Sequence, residues 1–235
     1  MYVEKSFQDL KQQHLANIAL EIARRIRDVQ GQDSASVTLT GGVLLKQQTA
    51  VTKMDTFNAV TVSADAFVGE KEYLRQGLEA TIITACPCMQ TYSLDELIRQ
   101  LDIHVEDPRA LMSRVPIATH SQKGMVRASV SGEKSNMTRC RFKTIYEAIN
   151  QSTHLTSELL KRPDEFDLVR RAHLKPQFVE DVVRDVLVSM RRSTRDYDGS
   201  LKIDVYAESY ESIHGHDIAA EASYTLNELR LLVED

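Results

Sequence analysis

The chain of 235 residues carries 29 Lys and Arg against 34 Asp and Glu, and its net charge of −5 does not suit a protein whose main task is to neutralise a phosphate backbone. Hydrophobic residues make up 42%, the three Cys are too few and odd in number for a disulfide framework, and no apolar run reaches the roughly 20 residues of a membrane span. We therefore expect a soluble, cytoplasmic protein that binds neither nucleic acid nor membranes.

The first half of the chain is predicted to contain one long helix, then strands, then a short helix. Apolar residues recur at helical spacing from Ser6 to about Gln30, and Gly31 ends the pattern. A capping box at Ser93 and Glu96 predicts a short helix that ends near Leu101. The segments between these helices are rich in β-branched residues, which predicts strands at Val37–Thr40, Val60–Val62 and Leu78–Thr84.

The second half is predicted to place two helices between strands. Residues 125–130 alternate as a strand, and residues 202–224 are expected to form a strand pair. An apolar stripe over 145–160 predicts a helix that Pro163 ends, and a valine stripe over 179–190 predicts a second one. Strands and helices do not alternate regularly, so we expect a single α+β domain over residues 1–235, with an antiparallel sheet backed by helices.

The triplet Cys86-Pro87-Cys88 follows the end of a predicted strand, where a thiol can project into a cleft. A free Cys more often packs as a small hydrophobe, but a proline between two thiols stiffens the loop and disfavours a helix. Cys-x-Cys is not the spacing of a structural zinc knuckle, so a metal here would take one thiolate and ligands of other types. Cys140, which lies between two arginines, is expected to be structural.

Other polar residues are candidates that also have ordinary structural explanations. His120 precedes a predicted strand, where a lone His is usually a hydrogen-bonded surface residue. Residues 161–165 can be read as cations at a helix end followed by solvated acids. Glu180 borders the valine stripe and either pairs with Arg184 or reaches into a cleft to accept two N–H donors from a purine or pterin edge. The His and acidic residues of 208–217 can form a polar hairpin tip.

The motifs that are missing narrow the chemistry. No glycine-rich phosphate loop, serine elbow or His-Glu-x-x-His pattern occurs in the sequence. The remaining candidates are one or two Cys, a His further along the chain, and acids on or near two helices. A thiolate, an imidazole and a carboxylate with an open position suit Zn²⁺ or Fe²⁺ in hydrolytic work, because such a metal lowers the pKa of bound water towards about 7.

Segments with these candidates resemble a known family in content and order: Cys86–Cys88, Thr119–Lys123, Leu160–Glu165, Pro176–Asp185 and Glu211–His216. Together they resemble the type IB GTP cyclohydrolases of the tunnelling-fold (T-fold) superfamily, over essentially the whole chain. The long stretch between Cys88 and His120, which has its own predicted helix, resembles the archaeal, methanopterin-pathway branch rather than the bacterial folate branch.

The resemblance implies a role for each segment. The implied metal ligands are Cys86, His120 and Glu165. The implied catalytic residues are His214 and His216, for proton transfer, and Cys88 as a neighbour of the metal. The implied substrate contacts are Glu180 on the guanine edge, with Lys161, Arg162, Gln122 and Lys123.

The resemblance also implies the reaction and the assembly. Metal-activated water attacks C8 of GTP, formate leaves, and a 7,8-dihydropterin forms, which in the archaeal branch is dihydroneopterin 2′,3′-cyclic phosphate. One divalent metal per subunit is implied, with Fe(II) favoured and Zn(II) or Mn(II) as substitutes. The subunits are expected to form a homo-oligomeric barrel, a dimer or tetramer, with sites near the subunit interfaces.

Two departures from the family pattern leave alternatives open. We expect the chain to lack the N-terminal strand segment of family members, and Ser121-Gln122-Lys123 stands where Asn-Gln-Arg is usual. Lys keeps the charge of Arg but loses its bidentate fork. The alternatives are a bacterial-type triphosphate product, a nitrile-reductase-like enzyme with a nucleophilic Cys, and a non-catalytic purine- or pterin-binding T-fold subunit.

Overall fold

The computed structural model describes residues 3–4, 14–101, 104, 106–115, 117 and 119–232. The elements in chain order are β1 (Val3–Glu4), α1 (His14–Gln30), β2 (Ala35–Gln48), β3 (Asp55–Val68), β4 (Glu72–Ala85), α2 (Pro87–Leu101), α3 (Pro108–Arg114), β5 (Ser121–Glu133), a 3₁₀ turn (Asn136–Arg139), α4 (Phe142–Ser152), α5 (Arg162–Leu174), α6 (Val179–Ser193), β6 (Lys202–Ser209), β7 (Ile218–Thr225) and α7 (Leu226–Leu232). None of the helices in these ranges is long and apolar enough to cross a membrane.

The strands form one sheet in which spatial order follows chain order from β1 to β7. Strands β2 to β7 pair antiparallel with their neighbours, and the two-residue β1 pairs parallel with β2 at the edge. The predicted α+β class, with an antiparallel sheet backed by helices, is therefore confirmed. The tunnelling fold, the oligomeric barrel and the single domain over residues 1–235 stay predictions.

The core lies between one face of the sheet and the helices. Side chains alternate in burial along β3 and β4, as expected for strands with one face against a core. Helix α1 packs on β2 and β3, whereas α6 packs on α4 and β6. The opposite face of the sheet carries charged residues, among them an ion pair between Arg127 and Glu79 at 3.0 Å, together with the exposed aromatic pair Phe67 and Tyr73.

The first predicted helix is confirmed over the described residues, where Gly31 ends α1 with a φ of 60°. Its predicted start at Ser6 lies outside the described residues. The helix after β4 begins at Pro87, so the expectation that this proline disfavours a helix was wrong. Proline is well suited to the first helical position, because its fixed φ is helical and the N–H that it lacks has no partner there.

The helix predicted over residues 145–160 is only partly correct. Helix α4 ends at Ser152, and the chain then runs extended beside β4, where Leu155 bridges Ile82. Pro163 does not end a helix but lies in the first turn of α5, which was not predicted. The sequence of α5 is mostly polar and has no continuous apolar stripe, so hydrophobic periodicity gives little signal for it.

Gln76 is an unusual member of the core. Its side chain is 0% exposed, and neither amide atom has a hydrogen-bond partner among the described residues. A buried amide without partners costs about 1–3 kcal/mol of stability. We expect Gln76→Met, which keeps the shape of the side chain, to raise the free energy of unfolding by about 1 kcal/mol in urea titrations. A lower free energy of unfolding would show that the amide has a partner in the folded protein.

Candidate active site

A cleft of about 200 Å³ opens where the end of β4, the start of β5, the start of α6 and the loop after β6 come together. The register explains this meeting: Ala85 at the end of β4 pairs with Ser121 at the start of β5, and Gly124 pairs with Ser209 at the end of β6. The lining residues are Cys86, Cys88, His120, Gln122, Gln177, Phe178, Val179, Glu180, Ser209, Glu211, His214 and Ile218.

Three of the lining residues form a compact group of metal-ligand type. His120, Glu211 and His214 each offer a ligand atom, and these atoms all lie within 4.8 Å of one another. The rings of His120 and His214 meet edge-on with centroids 6.1 Å apart, and His216 stacks on His214 at 5.6 Å. Residues that are far apart in sequence thus come together because β6 lies beside β5.

Hydrogen bonds through Gln122 connect His120 and Glu211, two members of this group. Nδ1 of His120 lies 3.0 Å from Oε1 of Gln122, and Nε2 of Gln122 donates to Ser209 Oγ and to Glu211 Oε1, both at 3.1 Å. Ser209 Oγ donates to the same Glu211 oxygen at 2.9 Å. The loop after β6 also has a hydrogen bond of its own, in which the N–H of Glu211 donates to an Asp217 carboxylate oxygen at 2.9 Å.

The two cysteines of the predicted motif also line this cleft, Cys86 half-buried and Cys88 exposed. Their Sγ atoms are 3.1 Å apart, and the N–H of Cys86 donates to the carbonyl of His120 at 3.3 Å. Burial raises the pKa of the Cys86 thiol, and the hydrogen bond with Cys88 raises it further. A metal that takes Cys86 as a ligand therefore has to displace a proton.

The segment that leads into His120 is held by a buried amide. Gln90, 4% exposed on α2, donates from Nε2 to the carbonyls of Ile117 and His173, at 3.3 Å and 2.5 Å. Nε2 of His173 lies 3.3 Å from the carbonyl of Thr119. These contacts connect α2 and α5 to the residues just before His120, so this wall of the cleft is anchored on two helices.

Glu180 lies on the first turn of α6 and lines the cleft. Arg184, one of the two alternatives for its partner, pairs instead with Asp181 at 2.6 Å, while Asp181 also accepts a hydrogen bond from the N–H of Phe178. Within the described ranges, no hydrogen bond or ion pair reaches the Glu180 carboxylate, whose side chain is exposed. The ion-pair explanation of Glu180 is therefore wrong, and the carboxylate is available to a ligand.

The structure does not bring all the predicted site residues into this cleft. Glu165, Lys161 and Arg162 lie exposed at the start of α5 and do not line it. Lys123 is exposed on β5, where alternation directs it away from Gln122. The roles of these residues as metal ligand and substrate contacts stay predictions. Glu211 had no predicted role, although it lies in the cluster of His and acidic residues singled out above.

Asp164, expected to be a solvated acid, is instead 3% exposed. Its carboxylate accepts hydrogen bonds from the hydroxyl of Thr52 at 2.6 Å and from the N–H groups of Val51 and Thr52 at 3.0 Å. Burial acts to raise the pKa of Asp164, but these hydrogen bonds outweigh burial and lower the pKa to about 2. Asp164 therefore fastens the start of α5 to the turn between β2 and β3.

This contact predicts an acid-sensitive contribution to stability. The folded-state pKa of Asp164 lies below the unfolded value of about 3.9, so its contribution is complete above about pH 4 and is lost as the pH falls towards 2. We expect Asp164→Asn to lower the urea midpoint at pH 7 and to reduce its fall between pH 4 and 2. Asp167→Asn on the same helix is the matched control, and equal effects of the two variants would contradict this assignment.

The donor set fits a divalent metal. Two imidazole nitrogens and a carboxylate oxygen are the ligands of many catalytic zinc sites and of non-haem Fe(II) sites, both of which keep open positions for water or substrate. The two nearby thiols add softer donors of the kind that zinc and iron accept. The chemistry of the group thus suits Fe(II) or Zn(II), and no other group of three or more His, Cys, Asp and Glu residues in the described ranges offers ligand atoms this close together.

Comparison with known proteins identifies the family. The sequence profile of type I GTP cyclohydrolase folE2 matches residues 2–220. The chain is 35% identical over 219 residues to GTP cyclohydrolase MptA 2 of Methanocella arvoryzae, an alignment covering 89% of this chain and 70% of that protein. It is 31% identical over 226 residues to GTP cyclohydrolase MptA of Methanospirillum hungatei, covering 92% and 68%. The chain therefore belongs to the type I GTP cyclohydrolase family of folE2 type, in its archaeal, methanopterin-pathway branch.

Proposed function

We propose that this GTP cyclohydrolase requires one divalent metal per subunit, held by His120, Glu211 and His214. The observation that carries the proposal is the grouping of their ligand atoms within 4.8 Å of one another in the cleft. Cys86 and Cys88 line the same cleft and are proposed to complete the coordination or to contact the bound substrate. Fe(II) is the proposed native metal, and Zn(II) or Mn(II) are proposed substitutes.

A divalent metal held by His120, Glu211 and His214 would act as a Lewis acid and supply a water nucleophile at neutral pH, which is the chemistry that attack on C8 of the guanine needs. His216 stacks on His214 and is exposed, so it is proposed to exchange protons with the substrate and solvent during ring opening and recyclisation. An imidazole suits this role because its ordinary pKa lies near neutrality.

Glu180 is proposed to bind the guanine edge. An ionised carboxylate can accept two parallel N–H donors, which the N1–H and the 2-amino group of guanine provide. Support comes from its exposed carboxylate, which lies in the same cleft as the metal-type group and has no partner among the described residues. Lys161 and Arg162 are proposed phosphate contacts on the resemblance alone. The resemblance also implies Glu165 as a metal ligand, which makes Glu165 the alternative to Glu211 as the carboxylate ligand.

The proposed reaction releases formate and yields a 7,8-dihydropterin. The resemblance of the sequence motifs to the archaeal branch favours dihydroneopterin 2′,3′-cyclic phosphate over the triphosphate as the proposed product. The active unit is proposed to be a homo-oligomer with sites near its interfaces, which light scattering tests directly: a monomeric mass contradicts this part of the proposal.

The experiment that tests the proposed function is an anaerobic assay with GTP and Fe(II), in which formate is quantified and the pterin product is identified by mass. We expect stoichiometric formate and the cyclic phosphate, and a triphosphate product would correct the branch-specific part alone. Binding of GTP without formate, with Fe(II), Zn(II) and Mn(II) each supplied to folded protein, would identify a non-catalytic binding subunit and overturn the proposal.

A further inference from the structure

Gln122 contacts two of the proposed metal ligands, His120 and Glu211. The chemistry of these hydrogen bonds determines which atom of its amide faces each of them. One amide atom faces His120, and the other faces Ser209 and Glu211. An ionised carboxylate has no proton and only accepts hydrogen bonds, so the atom of Gln122 that faces Glu211 must be the NH₂ nitrogen. The Ser209 hydroxyl donates its one proton to Glu211, so it too can only accept a hydrogen bond from Gln122.

The remaining amide atom of Gln122, Oε1, therefore faces Nδ1 of His120 at 3.0 Å. A carbonyl oxygen carries no proton, so the proton of this hydrogen bond must lie on Nδ1 of His120. A neutral imidazole has a single N–H, and Nε2 is then left with its lone pair. The same network places both donors, from Gln122 and Ser209, on Oε1 of Glu211, and no described residue donates to Oε2.

We propose that Gln122 is a positioning residue that selects the ligand atoms of the site. It holds His120 as the Nδ1–H tautomer, so that Nε2 binds the metal, and together with Ser209 it occupies Oε1 of Glu211, so that Oε2 binds the metal. The part that concerns metal binding rests on the proposed function, whereas the tautomer of His120 does not. Gln122 thus acts through two ligands, in addition to any contact with substrate.

Hydrogen-bond partners of this kind contribute measurably to metal sites. Loss of such a partner lowers metal affinity or activity about 10- to 100-fold, because the ligand loses its orientation and its fixed tautomer. Gln122 contacts two ligands at once, so we expect its removal to have an effect at the upper end of this range. Ser209 contacts Glu211 but has no hydrogen bond to His120, which separates the two effects of the network.

The tautomer can be read in the metal-free protein by long-range ¹H–¹⁵N NMR of ¹⁵N-His-labelled samples at about pH 8, above the ordinary pKa of His. His120→Asn assigns the resonances. We expect the Nδ1–H tautomer for His120 in the wild type and a shift towards Nε2–H in Gln122→Met, which keeps the shape of the side chain. An Nε2–H signal for His120 in the wild type would overturn the inference.

Zinc affinity, measured by competition with a chromophoric chelator, provides the second readout. We expect an affinity loss of about 100-fold in Gln122→Met, and a loss of about 10-fold in Ser209→Ala with the His120 tautomer unchanged. Gln48→Met, at an exposed position at the end of β2, is the control and should change neither the zinc affinity nor the His120 tautomer. If Gln122→Met leaves both quantities unchanged, the positioning role is wrong. A wild type with the Nδ1–H tautomer that binds no metal would instead overturn the proposed function and leave the tautomer assignment standing.

Discussion

His120→Ala, His214→Ala and Glu211→Gln each lower both the bound metal and formate release from GTP, with a fall of at least about 100-fold in kcat/KM. The reason is that each substitution removes one of the three ligand atoms that lie within 4.8 Å of one another, and the remaining two cannot hold the ion firmly. Metal content by elemental analysis and formate release, measured on the same preparations, provide the check.

The ligand set implied by family resemblance differs from the set that the structure groups, and matched variants separate them. Glu165→Gln tests the ligand that only the resemblance implies, and Cys86→Ser tests the thiol that the resemblance implies and that also lines the cleft. If Glu211→Gln retains metal while Glu165→Gln loses it, the carboxylate ligand is Glu165, and the group of His120, Glu211 and His214 is not the metal site. Circular dichroism of every variant distinguishes loss of metal from loss of fold.

Glu180→Gln lowers kcat/KM for GTP by about 100-fold and leaves the metal content unchanged. The carboxylate accepts two charge-assisted hydrogen bonds from guanine, each worth about 1.5–3 kcal/mol, and glutamine turns one acceptor into a donor that opposes an N–H group. An energy of about 3 kcal/mol corresponds to roughly a 100-fold change in kcat/KM. Steady-state kinetics with GTP measure the change in kcat/KM, and calorimetric titration of metal into the metal-free protein measures metal binding separately.

Glu147→Gln is the matched control for Glu180. Glu147 lies on α4, outside the cleft, and pairs with Lys143 across one helical turn. We expect its substitution to leave kcat/KM unchanged. An equal loss of kcat/KM in Glu147→Gln and Glu180→Gln would point to a general effect of helix charge. A loss of metal in Glu180→Gln would place Glu180 among the metal ligands rather than in contact with the guanine base.

Much of the sheet could be predicted because its strands carry clear local signals. The β-branched run 78–84 falls within β4, and the predicted end of that strand near Ala85 agrees with the structure. The predicted strand over 125–130 lies within β5. The pairing of β5 with β6, which builds the site, is a long-range contact, and no local pattern specifies it.

The helices were predicted less completely, for physical reasons. Helix α6 has a continuous apolar stripe and was predicted from Val179 onwards. Helix α5 has few buried side chains, and Pro163 in its first turn resembles a helix end in the sequence. Asp164 is buried where its carboxylate accepts hydrogen bonds from Thr52 and Val51. These residues are more than a hundred positions away in the chain, so the burial of Asp164 has no local signature in the sequence.

The site could be predicted in part for similar reasons. Cys86, His120 and Glu180 are candidates from their residue types and positions, the family resemblance adds His214, and all four line one cleft. Glu211 was missed because it is one of several acids in a polar loop, and its proximity to His120 arises from the pairing of two strands. The hydrogen bonds of Gln122 depend on side-chain positions that sequence does not encode locally.

Anomalous diffraction at the metal edge, from crystals of the protein loaded with Zn(II) or anaerobically with Fe(II), tests the central claim most directly. We expect one anomalous peak per subunit in the cleft, within bonding distance of His120, Glu211 and His214. A single peak elsewhere, or one bound by Cys86 and Glu165 with Glu211 uncoordinated, would contradict the ligand set proposed for this enzyme.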